Sequence, residues 1–98
     1  MKKPLSAKSK KQLRQLAHKL KPVVIIGEMG LTENVLREID LSLAHHELIK
    51  VRVNAADRAE RVKLIQTIES ECYANTVQSI GHIAVFYRPS EQFKIKLQ

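Results

Sequence analysis

Apolar residues recur every three or four positions in three stretches of this chain. Each stretch is followed by a short run that is either continuously apolar or alternating, which fixes an order of helices and strands before anything else is known. In the first stretch Leu13, Leu16, Ala17 and Leu20 share one helical face, Ser6 is a good N-cap and Pro22 stops the run. A helix is predicted from about Ser6 to Leu20. Val23 to Ile26 is apolar without alternation, as expected of a strand covered on both sides. Thr32 can cap a second helix, whose Val35, Leu36, Ile39 and Leu43 form one face through about His45. Leu48 to Val53 then alternates, with Ile49, Val51 and Val53 on one side and Lys50 and Arg52 on the other, so a half-exposed strand is expected. Asp57 or a near neighbour starts a third helix, where Val62, Ile65, Ile68 and Cys72 keep the spacing to about Tyr73. Thr76 to Ile80 and Ile83 to Tyr87 flank Gly81-His82 as a hairpin, closed by Arg88-Pro89-Ser90. The tail Phe93 to Leu97 alternates apolar and basic residues, which fits either a short edge strand or a frayed end.

The order is therefore αβαβαββ. Two strand-helix-strand units imply right-handed crossovers and mostly parallel pairing early, with the terminal hairpin adding an antiparallel strand: an α/β fold on a mixed four-stranded sheet. The 98 residues suffice for one domain, taken as residues 1–98, and its core must be mainly aliphatic because only four aromatics and no Trp are present. No apolar h-region follows Met1-Lys2-Lys3 and no run approaches membrane-spanning length, so a cytoplasmic protein is expected. The single cysteine, Cys72, excludes an internal disulfide and reads as a buried, inert thiol on a helix face.

Charge narrows the choice of partner. Of the net +7, residues 1–22 carry +8 and no acid, and the remainder carries −1. A solubilising surface needs no such segregation, whereas a face that binds a polyanion produces it. Lys8, Lys11, Arg14 and His18 recur at steps of three or four, so the charge forms a stripe along a docked helix, and Lys19 and Lys21 lead into the strand that follows.

That strand ends in Gly27-Glu28-Met29-Gly30 and a new helix begins just beyond. Glycines so spaced let a backbone turn tightly and approach a ligand, while the next helix offers unpaired N–H groups and a positive dipole end. The junction suits a phosphate. As turn residues alone the two glycines would also be explained, and the loop is too short and lacks the Lys of a P-loop.

Catalytic chemistry is not in view. His45 and His46 point about 100° apart on a helix, which suits a shared metal poorly, so they are expected to cap the second helix or enter the core partly. CxxC, HExxH and GxSxG are absent, and Glu69 and Glu71 lie on different helical faces. No enzyme, metal or cofactor is expected. Of the four aromatics Tyr73, Phe86, Tyr87 and Phe93, the adjacent pair on one strand must face opposite ways, which favours recognition of backbone and shape over base stacking.

Five blocks carry a further resemblance: Leu16-Ala17-His18; Lys21-Pro22-Val23-Val24-Ile25-Ile26-Gly27; Gly30-Leu31-Thr32; His45-His46-Glu47-Leu48-Ile49-Lys50-Val51; and Ile80-Gly81-His82 through Tyr87-Arg88-Pro89. In this order they resemble the CRM domain (chloroplast RNA splicing and ribosome maturation), specifically the bacterial stand-alone YhbY-like proteins, over nearly the whole chain. The resemblance implies a fold akin to the C-terminal domain of translation initiation factor three, a GxxG loop analogous to that of KH domains, and RNA binding linked to precursors of the large ribosomal subunit. It also implies backbone contact at Gly27 and Gly30. The acidic Glu28 departs from the basic or small residue such loops often hold.

The reading is a non-enzymatic RNA-binding protein of ribosome assembly, whose partners are ribosomal RNA and ribosomal or assembly proteins. The expected contacts are Gly27, Glu28, Met29, Gly30 and Thr32 at the loop with Lys8, Lys11, Arg14, Lys19 and Lys21, joined by Lys50 and Arg52 if the exposed sheet face lies near the loop. A nucleoid-type DNA binder, a small protein binding a phosphorylated metabolite and a protein-interaction adaptor are the rivals.

Overall fold

The computed structural model describes residues 4–97; Lys2 and Lys3, counted above in the basic segment, lie outside the described residues. Its elements run α1 (Ala7–Ala17), β1 (Pro22–Ile26), α2 (Glu33–His46), β2 (Leu48–Val53), α3 (Arg58–Cys72), β3 (Asn75–Ile80) and β4 (Ile83–Tyr87). Each helix starts on the cap its sequence supplies. Ser6 Oγ accepts from Ser9 N–H at 3.0 Å, Thr32 Oγ1 from Val35 N–H at 3.2 Å and Asp57 Oδ1 from Glu60 N–H at 2.8 Å, satisfying donors that have no intrahelical partner.

The four strands form one mixed sheet in the order β1-β2-β4-β3, with β1 parallel to β2 and the other two pairs antiparallel. Only one neighbouring pair is parallel. The unit β2-α3-β3 does bring two strands in the same direction, but the hairpin folds β4 between them. The reason is burial: Ala84, Val85, Phe86 and Tyr87 are all buried, so β4 needs cover on both faces and takes a central place. The strand expected to be doubly covered, Val23 to Ile26, is instead an edge. Val24 and Ile26 are buried, while Val23 and Ile25 are exposed on the other face.

Helices α2 and α3 cover one face over Val24, Ile26, Ile49, Val51, Val53, Ala84 and Phe86. On the opposite face α1 sets Leu13 and Ala17 against Leu48, Val77, Val85 and Tyr87. It ends at Ala17, a turn earlier than the apolar spacing predicts. Pro22 disfavours helical geometry at the residue before it, so the chain leaves the helix through a turn in which Leu20 N–H donates to Ala17 O. Leu20 consequently stays outside the core, and with Leu16, which is exposed on α1, it lines an open apolar groove with Val23, Leu48 and Ile95. Val62 is likewise exposed on α3, whereas Ile65, Ile68 and Cys72 are buried as expected.

At the far end of α2, His45 and His46 are exposed, and neither enters the core. Glu47, next to them, is fully buried and has φ +64°. Its carboxylate accepts from Ser90 Oγ–H and from the N–H groups of Ser90 (3.0 Å), Lys94 (3.0 Å) and Ile95 (2.8 Å). The tail is therefore neither an added strand nor a frayed end: a buried carboxylate pins it, and Ile95 packs beside the residues under α1. Burial pushes the Glu47 carboxyl up, but the hydrogen bonds from Ser90, Ile95 and Lys94 outweigh it and hold its pKa at about 2. Arg88 closes the same region, donating to Asp40 Oδ1 at 2.6 Å and to Cys72 O at 2.8 Å.

Candidate nucleic-acid interface

The ends of β1 and β2, the turn between β3 and β4 and the N-termini of α2 and α3 all meet at one end of the sheet. Asn54 N–H donates to Ile26 O at 3.0 Å, and Val53 N–H donates to His82 O at 2.6 Å, tying three loops together there. The Gly27–Gly30 loop sits at this end. Gly30 N–H donates to Gly27 O and Thr32 N–H to Gly30 O, both at 3.1 Å, so the loop is a closed turn before α2.

The two glycines have different reasons to be there. Gly30 has φ +71°, which a residue with a Cβ adopts at a cost. Gly27 has no such dihedral, and a Cβ built on it would meet nothing within 4 Å. Turn geometry thus accounts for Gly30 alone, and the fold leaves Gly27 free to carry a side chain. Met29 is 85% exposed at the tip. Glu28 is exposed and lines, with Gly27, a shallow hollow bounded by Asn54, Glu60 and His82. Thr32 is partly buried, and its hydroxyl oxygen serves as the α2 cap. Gly30 and Thr32 use their N–H groups inside the turn, so the donors that face an anion come from the rest of the loop, Glu28, Met29 and Leu31, and from the first turn of α2, Glu33 and Asn34.

Lys8, Lys11, Arg14, Lys19 and Lys21 are all exposed. The structure brings only some of them together. Lys11, Arg14 and His18 form one wall of a groove whose floor is Lys50, Gln78, Ile80, Ile83 and Val85 on the open part of the sheet. Lys21 lines the neighbouring apolar groove with Leu16 and Leu20, and Lys8 and Lys19 line neither. Lys50 and Arg52 project to this same α1 side, and the register places Arg52 beside Ile25, two residues before Gly27. The exposed sheet face does lie near the loop.

Strand register carries more than the alternation could. Ile25 pairs with Arg52, Arg52 with Ile83 and Ile83 with Ile80, making one row across all four strands on the α1 side. Arg52 Nε donates to Asn54 Oδ1 at 3.3 Å. Neither the row nor Asn54 was visible from spacing, because strand order was needed to see it. Arg58 and Arg61, at the start of α3, line a separate hollow with Ser79 on the other side of the sheet.

Phe86 and Tyr87 are both buried, on opposite faces, and burial followed by the nearby Glu47 charge raises the Tyr87 pKa. The exposed Tyr73 and Phe93 stand at the opposite end of the sheet from the Gly loop. Among the described residues no group of three or more His, Cys, Asp or Glu could hold a metal ion, and no helix is long and apolar enough to cross a membrane.

A small α/β protein with one charge-bearing sheet face and a glycine turn at the strand ends has the architecture of a CRM-type domain. The chain belongs to the CRS1 / YhbY (CRM) domain family, whose model matches residues 5–88. It is 56% identical over 93 residues to a protein of Haemophilus influenzae named RNA-binding protein, covering 95% of this chain and 94% of that one. A relative in Pseudomonas aeruginosa, also named for RNA binding, is 44% identical over 84 residues, covering 86% and 81%. The fold matches the solution structure of a hypothetical Staphylococcus aureus protein described as an RNA-binding candidate. The TM-score is 0.83 at 38% identity, covering 96% of this chain and 99% of that one.

Proposed function

We propose that this protein binds RNA through the α1 side of its sheet and the Gly27–Gly30 loop, without catalysing a reaction, and that its target is ribosomal RNA of large-subunit precursors. The observation that carries the reading is the groove between α1 and the sheet, where Lys11, Arg14, His18 and Lys50 face one another and no strand or α1 residue supplies a carboxylate. Relatives named for RNA binding support it. In this reading the basic groove attracts the phosphate backbone and the N–H groups of Glu28, Met29, Glu33 and Asn34 position one phosphate against the loop. Glycine at position 27, which the fold does not require, lets the RNA backbone approach.

Ultraviolet crosslinking in cells, followed by sequencing of the attached RNA, tests this directly. Large-subunit precursor RNA is the expected product, with clearly lower recovery from a Gly27→Ala variant of unchanged fold. Recovery of unrelated RNAs would overturn the ribosomal target, and equal recovery from the variant would overturn the role of the loop.

A further inference from the structure

We infer that the row Ile25–Arg52–Ile83–Ile80 is a platform for two or three unstacked bases of a single-stranded RNA segment, with the Arg52 guanidinium as its stacking plane. This rests on the RNA-binding reading and names the kind of RNA that the sheet face takes.

The argument begins with what α1 leaves uncovered. On the α1 side, Leu48, Val77, Val85 and Tyr87 are buried beneath the helix, but the row next to the Gly loop is open. Ile25 is 60% exposed at one edge and Ile80 65% exposed at the other, with Arg52 exposed between them and Ile83 half-buried. Neighbouring strands lie about 4.8 Å apart, so four side chains in a row span roughly 14 Å. A four-stranded sheet of similar width elsewhere holds two or three bases, there on aromatic side chains.

Two isoleucines held in water on a functional face favour an occupant that is flat and partly apolar. The electropositive wall of Lys11 and Arg14, the Lys50 side chain one row away and the absence of any carboxylate on all four strands require that occupant to be anionic. Unpaired nucleotides meet both demands. A duplex does not, because its base faces are stacked inside and it would present phosphate, 2′-hydroxyls and polar base edges to the isoleucines.

Aromatic side chains commonly supply the stacking surface, yet here Phe86 and Tyr87 are buried and Tyr73 and Phe93 stand at the far end. A guanidinium is planar and stacks on bases in the same manner. The register sets Arg52 between Ile25 and Ile83, and the hydrogen bond from its Nε to Asn54 Oδ1, just past the end of β2, restrains the guanidinium toward the Gly-loop end of the row. A strand crossing this row reaches Gly27 within two residues of Ile25, where its phosphate meets the loop.

Arg52→Lys separates the plane from the charge. Binding would be measured for a single-stranded oligoribonucleotide of about ten nucleotides carrying 2-aminopurine and for an RNA hairpin of matched length, across a salt series. Arg52→Lys is expected to weaken the single strand about fivefold more than the hairpin, abolish the change in 2-aminopurine fluorescence, and leave the salt slope unchanged because the charge is kept. Ile80→Thr, at an exposed edge position that tolerates β-branched residues, should reproduce the selective loss without touching charge. Equal weakening of both RNAs, or no weakening by either variant, overturns the platform and would leave this face to another occupant such as an acidic protein segment. Wild-type binding and its sensitivity to Gly27→Ala report on the broader function independently. If the wild type binds neither RNA, that function fails and the platform with it.

Discussion

Glu47 shows how one buried side chain can order a segment that its own residues would leave loose. Residues 90–97 contain no regular element, yet three of their N–H groups and one hydroxyl converge on this carboxylate. Glu47→Gln would set an NH2 group against these donors, and hydrogen bonds to a charged acceptor are worth about 1.5–3 kcal/mol. A stability loss of about 2–3 kcal/mol is expected in urea denaturation at neutral pH, with faster amide exchange at Lys94 and Ile95. The pH dependence follows from a folded-state pKa near 2 against an ordinary value of 4.5. The stabilisation is complete above pH 4.5 and disappears as pH falls from 4.5 toward 2, because the unfolded chain takes up the proton first. Wild type and variant should therefore converge in stability over that range. Nothing in the local sequence marks Glu47 as the buried acid, since its partners lie more than forty positions away.

At the scale of elements, α1 works as a clamp with two unlike sides. Leu13 and Ala17 fix it to the sheet, and Lys11 and Arg14 face the groove in consequence. Replacing both basic residues by alanine should leave the helix intact, because each is exposed and alanine favours helix. RNA affinity should fall for every sequence, and the slope of log affinity against log salt should shrink by roughly 1.4–1.8, the value for two lost phosphate contacts. An unchanged slope would remove α1 from the interface. The stripe was legible in the sequence because helical spacing is local, and so were the caps Ser6, Thr32 and Asp57 and the half-exposed β2. What was not legible depended on partners distant in sequence. Four apolar residues read the same in an edge strand as in a covered one, so the run Val23 to Ile26 predicts for β1 the environment that β4 occupies. The first helix looked longer because Leu16 and Leu20 keep its spacing although Pro22 unwinds its end. The Gly loop was legible as a turn and its neighbours were not, since Arg52 meets Ile25 only through the β1–β2 register.

Across the whole molecule, charge divides by layer. Helix α1 has no acid, and the strands contribute only Lys50 and Arg52, whereas α2 and α3 on the other side of the sheet hold Glu33, Glu38, Asp40, Glu60, Glu69 and Glu71 against Arg37, Arg58, Arg61 and Lys63. An RNA strand on the α1 side would be roughly 15 Å or more from the outer surface of α2 and α3, given a helix diameter and layer spacing of about 10 Å each. Unscreened in water, one acid at that distance opposes one phosphate by about 0.3 kcal/mol. At physiological salt the screening length is about 8 Å, which cuts this several-fold; at 0.01 M salt it is about 30 Å and most of the repulsion survives. The exposed pair Glu38 and Glu71 should therefore be nearly silent where the cell operates. Glu38→Gln with Glu71→Gln is expected to change RNA affinity less than about twofold at physiological salt and to raise it measurably at 0.01 M. A large gain at physiological salt would mean that RNA contacts the α2–α3 layer directly, and the α1 side would then lose its claim to be the binding face.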